Sequence, residues 1–129
     1  MTHNTPGVNR DELIQRMVLN VIGDGLESLD WIVERVTTDG TDAGISVSEV
    51  EISKALIYLL SAGLASAFRV FPTRQPPELI EAVPHPEDMA RWHYLMTEKG
   101  LVLHESDYKD WPFDDDGKVR KDWTPVFRD

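Results

Sequence analysis

Ser48-Glu49-Val50-Glu51-Ile52-Ser53-Lys54-Ala55-Leu56-Ile57-Tyr58-Leu59-Leu60-Ser61-Ala62-Gly63-Leu64, continued by Ala65-Ser66-Ala67-Phe68-Arg69-Val70, is the stretch on which the fold turns. Ile52, Leu56, Leu59, Leu60 and Gly63 recur at three- and four-residue intervals, the spacing of one helix face. Ser48 and Glu51 stand in capping-box register, in which each side chain takes an orphan backbone N–H of the first turn. Gly63 suits a left-handed C-terminal cap, where a Cβ is penalised. Beyond it, Phe68 and Val70 alternate with Ala67 and Arg69, a strand period. The spacing therefore predicts a helix over Ser48–Ala62, a glycine stop and a strand over Ala65–Val70.

Upstream, Asn9 to Ile22 is an expected helix. Asn9 suits the cap, Asp11 and Glu12 suit the positive end of the dipole, and Leu13, Ile14, Met17, Val18, Val21 and Ile22 form a broad apolar stripe. Ser28 to Val36 reads as a shorter helix with Leu29, Ile32, Val33 and Val36 on one face and Trp31 off it. A loop of small and polar residues is expected over Thr37–Gly44. Downstream, five prolines between Pro72 and Pro86 argue for an extended loop over Pro72–Ala90, with room for a short strand at Leu79–Val83. Trp92–Met96 is the expected partner strand. Thr97 then caps a last helical stretch reaching His104.

The domain is expected over residues 9–106. From Asp107 to Asp129 an acidic tail carries Tyr108, Trp111, Phe113, Trp123 and Phe127, too many aromatics for a solvated segment. It is expected to pack on the domain or on a second subunit.

Charge narrows the function classes. The 129 residues hold 13 basic and 23 acidic side chains, net −10. Residues 1–64 sum to −6, residues 65–100 to −1 and residues 101–129 to −3, so none of these segments attracts a polyanion at long range. There is no cysteine, which rules out disulfides, thiolate metal sites and thiol nucleophiles. With no signal-like start and no apolar run of about 20 residues, a soluble cytoplasmic protein is expected.

The order of three helices, a β-hairpin and a closing helix resembles a winged helix-turn-helix domain. Glu51 to Leu64 is similar to the passage from recognition helix into wing of PadR- and MarR-type regulators. Tyr94-Leu95-Met96-Thr97-Glu98-Lys99-Gly100 is similar to the Leu-Thr-x-x-Gly that leaves the wing in those families. The expected fold is thus α+β and mainly helical: a three-helix core, a β-hairpin wing, a closing helix and an irregular aromatic tail. The resemblance implies a homodimer, often formed through terminal helices. It also implies a recognition helix whose contact positions are Ser48, Glu49, Glu51, Ser53, Lys54 and Tyr58, with Arg69, Arg74 and Arg91 in the wing.

Two carboxylates and one amine on that helix suit phosphates poorly, although glutamate accepts from cytosine. The wing cations are offset by Glu78, Glu81, Glu87 and Asp88. The favoured reading is a non-enzymatic winged-helix module acting through protein association, with Trp31, Trp111 and Trp123 as candidate interface aromatics. The alternative is a transcriptional regulator binding double-stranded DNA through Ser48–Ala62 and the wing. A small-molecule sensor with a pocket between tail and helices is a third, weaker expectation.

Catalysis and metal binding find little support. His3, His85, His93 and His104 lack metal-ligand spacing. Asp114-Asp115-Asp116-Gly117 fails calcium-loop register, because the first and twelfth positions would fall on Pro112 and Trp123. Ser106-Asp107-Tyr108-Lys109 matches Ser-x-x-Lys without its partner motifs. No cofactor is expected.

Overall fold

The computed structural model describes residues 7–127, so His3 lies outside the described residues. Helix α1 (Arg10–Ile22) starts where Asn9 accepts the Glu12 N–H at 3.0 Å. Leu13, Ile14, Met17, Val18, Leu19, Val21 and Ile22 are all buried, more than one face requires. The reason is that α1 is enclosed by α2 (Leu29–Asp42), α3 (Glu49–Ser61), α4 (Glu98–Glu105) and the sheet.

The sheet has the order β1-β4-β2-β3, from β1 (Glu27–Ser28), β2 (Ala65–Arg69), β3 (Glu78–Ile80) and β4 (His93–Met96), antiparallel throughout. Ala67 stands opposite Tyr94, and this small residue leaves the ring room to turn inward. Tyr94 is completely buried and donates its hydroxyl to the Met89 carbonyl at 2.6 Å. Burial pushes its phenol pKa above the ordinary value.

The end of α3 and the start of α4 form one joint. Gly63, at φ +74°, closes a Schellman turn in which the Leu64 N–H reaches the Leu59 carbonyl and the Gly63 N–H the Leu60 carbonyl. Thr97 donates its hydroxyl to the Gly63 carbonyl at 2.7 Å and accepts the Gly100 N–H at 3.0 Å, so it fastens α3 while capping α4. Lys99 adds a bond to the Ala62 carbonyl at 3.0 Å. A Cβ on Gly100 would overlap the Leu64 carbonyl oxygen and lie 2.8 Å from Met96 Cγ. The two sequence passages that carry the resemblance therefore meet across this joint.

Several expectations need correction. The second helix does not end at Val36; it runs to Asp42 through the segment read as a loop. Thr38 and Thr41 return their hydroxyls to the Glu34 and Thr37 carbonyls at 2.9 and 3.0 Å, and Val36 and Gly40 continue the buried stripe. Only residues 43–48 then connect α2 to α3. The wing is more than a two-stranded hairpin. Its strand β2 pairs with β4 on one side and, on the other, with β3, which occupies Glu78–Ile80 rather than Leu79–Val83. Flanking prolines confine β3 to three residues at the sheet edge. Pro86–Arg91 forms a 3-10 helix in place of open loop, which seats Met89 in the core. Glu27–Ser28 pairs with β4, a strand too short to leave a periodic signal.

The C-terminal segment folds back over α1 and α4. Trp123 is buried at 8% exposure and donates its indole N–H to the Asp110 carbonyl at 2.8 Å. Arg120 donates to the Lys109 and Trp111 carbonyls at 3.0 and 2.7 Å, and Trp111 meets Phe113 edge-on at 5.6 Å. Arg16 packs its guanidinium over the Tyr108 ring at 4.8 Å. Val8 and Phe127 form an isolated parallel bridge, so both ends of the described chain meet beside α1.

Candidate functional site

The first turn of α3 is held from a distance in sequence. Glu51 accepts the Ser48 N–H at 3.1 Å while the Ser48 hydroxyl accepts the Glu51 N–H at 3.1 Å, the capping box read from the sequence. The same carboxylate takes a forked pair from Arg10, Nε at 2.7 Å and a terminal nitrogen at 3.0 Å. Arg10 also donates to the Ser46 carbonyl and lies over the Phe127 ring at 5.2 Å. The Arg10 hydrogen bonds, with the Ser48 bonds added, hold the Glu51 carboxyl down to about 2. Glu51, placed among the contact residues by the sequence, is thus engaged within its own chain.

What α3 leaves outward is mixed, with Glu49, Lys54 and Ser61 exposed beside Val50 and Tyr58. Val50 is 62% exposed and Tyr58 51%, with Ile57 half-buried between them. Lys54 is the helix's cation, and Glu49 and Ser48 are exposed at its start. In the wing, Arg69 lies over the Trp92 ring at 5.2 Å and Arg91 approaches Asp88 at 3.9 Å. Arg74 is exposed in the segment between β2 and β3, and Glu78, Glu81 and Glu87 are exposed as well. Of the cations expected to gather here, Arg69 and Arg91 have partners within the chain, whereas Lys54 and Arg74 make no ion pair among the described residues.

The three candidate interface tryptophans separate. Trp31 keeps 44% of its surface exposed on α2. Trp111 is half-buried against the core and Trp123 is buried within it, because the chain folds back on itself.

Two concavities lie beside α1, and neither left a local sequence signal because their walls come from distant segments. One, of about 420 Å³, is bounded by α1, α3 and α4, with Leu19, Leu59 and Leu64 beneath, Tyr58 at one side and Asp11 and Glu12 at the rim. Arg16 also lines it, and its guanidinium donates to the carbonyl of Leu103, a residue of the same lining, and to the Ser106 hydroxyl. The other, of about 500 Å³, lies between α1, α4 and the C-terminal segment, where His104 Nε2 pairs with Asn20 at 3.0 Å. His93 is half-buried on β4 and His85 exposed before the 3-10 helix. Among the described residues, no three histidine, aspartate or glutamate side chains gather as a metal site would need. None of their helices is long and apolar enough to cross a membrane.

No family model matches the chain, and comparison with curated proteins finds no match. Among solved structures, the chain is similar to the X-ray structure of a PadR-like transcription factor from Bacteroides fragilis. The TM-score is 0.50 at 19% identity, over 74% of this chain and 76% of that one. The likeness establishes the fold, a winged helix of PadR-like form, and leaves the activity to be argued from the surface.

Proposed function

We propose that this chain is a cytoplasmic, non-enzymatic regulatory module that works by binding protein, and that the outward side of α3 belongs to its contact surface. One observation carries this reading. Where a groove-reading helix needs basic side chains, α3 turns outward Val50, Tyr58 and the half-buried Ile57 beside Glu49, Ser61 and a single cation, Lys54. Exposed apolar groups gathered on one face are a mark of association surfaces, and tyrosine is enriched at interface cores. A net charge of −10 adds long-range repulsion of any polyanion. The homodimer implied by the resemblance belongs to the same reading, with Trp31 as the exposed tryptophan open to it.

A DNA-binding regulator is the second reading. It is favoured by the fold likeness to a transcription factor and by Lys54 and Arg74, the cations without ion-pair partners among the described residues. A salt titration of binding to random-sequence duplex DNA separates the two. The association reading expects no binding even at low salt. Measurable affinity that falls steeply with salt, and that Arg74→Ala with Arg91→Ala abolishes, would put DNA binding first.

A further inference from the structure

The C-terminal segment is held in two different ways along its length. Up to Trp123 it is anchored: that indole is buried and bonded to the Asp110 carbonyl, and Arg120 takes the Lys109 and Trp111 carbonyls. Beyond Trp123 the side chains of Thr124, Pro125 and Val126 are exposed and Phe127 is half-buried. This last stretch rests on an isolated bridge to Val8, whose N–H reaches the Val126 carbonyl at 2.8 Å, and on the Phe127 ring against Arg10 at 5.2 Å. Pro125 adds a contact beside Gly44, its Cγ 3.7 Å from where a Cβ would stand. These contacts fall on the start of α1 and on the connection that leads into α3. Arg10 carries them further, because the guanidinium under Phe127 is the one that forks onto Glu51 and reaches the Ser46 carbonyl. Local opening is easiest where exposed backbone is held by few bonds, which describes residues 124–127 and not the segment before them.

We propose that residues 124–127 are a releasable strap coupled through Arg10 to the first turn of α3. Docked, Phe127 confines the guanidinium to Glu51 and Ser46; released, Arg10 regains rotamer freedom and the turn loosens. Coupling of this kind is reciprocal, so whatever draws Glu51 away from Arg10 also loosens the strap. The inference goes beyond the association reading. It gives a partner that captures the C-terminal end a way to change the surface around Ser48 and Glu49 without touching it.

Amide hydrogen exchange on the full chain, followed by NMR, tests the coupling at three positions. The Val8 N–H reports the strap. The Ile52 N–H, bonded to the Ser48 carbonyl at 3.1 Å, reports the first turn of α3. The Leu101 N–H, bonded to the Thr97 carbonyl at 2.8 Å, reports the domain at large. Phe127→Ala is expected to speed exchange about two- to fivefold at Val8 and Ile52, the scale of one part-exposed cation–π contact, and to leave Leu101 unchanged. Phe127→Tyr, which keeps a ring, should restore the parent rates. Glu51→Gln should speed Val8, the reciprocal effect. Faster exchange at Val8 with Ile52 unchanged would overturn the proposal, since the strap would then open alone. Equal acceleration at all three positions would overturn it too, because Phe127 would then act only on overall stability. So would a Val8 rate that neither Phe127→Ala nor Glu51→Gln alters. None of these outcomes bears on the association reading, which is judged by binding.

Discussion

Arg10 shows how much one side chain can decide. It joins the start of α1 to the start of α3 through Glu51, reaches the Ser46 carbonyl and carries Phe127 on its guanidinium face. Replacing it with alanine is expected to cost about 1 kcal/mol, because the pair is half-exposed but forked. Chemical denaturation of Arg10→Ala beside the parent measures this. The same pair sets a pH dependence. Glu51 has its folded pKa lowered to about 2, below its unfolded value of about 4.3, so its contribution is complete above that unfolded value. It is lost as pH falls from about 5 toward 2. The stability difference between the parent and Glu51→Gln should therefore be present at neutral pH and shrink through that acid window. A difference that stays constant with pH would mean the charge of Glu51 contributes nothing. Gly100 is the opposite kind of residue, needed for what it lacks. Gly100→Ala is expected to lose about 3 kcal/mol or more, since backbone rather than a flexible side chain occupies the space of the new methyl.

At the scale of elements, caps explain the agreement between sequence and structure. Asn9, Ser28, Ser48 and Thr97 each accept a backbone N–H three residues on, as their residue types led one to expect. Capping is local chemistry, visible in a four-residue window. The errors lie where an element draws on something distant. Thr37 to Asp42 is polar and reads as loop, yet it stays helical because Val36 and Gly40 continue a stripe that only the packed core rewards. Strand β3 is held by pairing with Phe68 and Arg69, across a segment that prolines would otherwise keep irregular. Its outer edge carries Glu78 beside neighbouring prolines, which limits edge-to-edge association. Tyr94→Phe tests the wing's inner attachment. Losing the bond to the Met89 carbonyl is expected to cost about 1 kcal/mol, with the fold unchanged by circular dichroism.

At the scale of the molecule, the C-terminal segment and the net charge matter most. Trp123 is a large side chain seated in the core from outside the helical region, and Trp123→Ala is expected to cost about 3–5 kcal/mol in thermal or chemical unfolding. A cost under about 1 kcal/mol would mean that the segment adds little to the domain. Net charge acts across the whole surface. Raising salt from about 20 to about 500 mM should raise the melting temperature by screening self-repulsion, and the rise should be smaller in a variant with several exposed acids neutralised.

From the chain alone came the winged-helix order, the four helix starts, the glycine stop at Gly63 and the core face of α3, because each follows from spacing or capping within a few residues. The acidity on which the proposed preference for a protein partner rests is also a property of composition. The tertiary structure decided that Glu51 is bound by Arg10, that Trp123 is interior while Trp31 remains exposed, and that Asp11 and Tyr58 border one cleft. Arg10 and Glu51 lie 41 positions apart in the sequence, and Asp11 and Tyr58 are farther apart still. Such contacts are settled only when apolar burial closes the chain on itself, and no local pattern encodes which distant side chains will then meet.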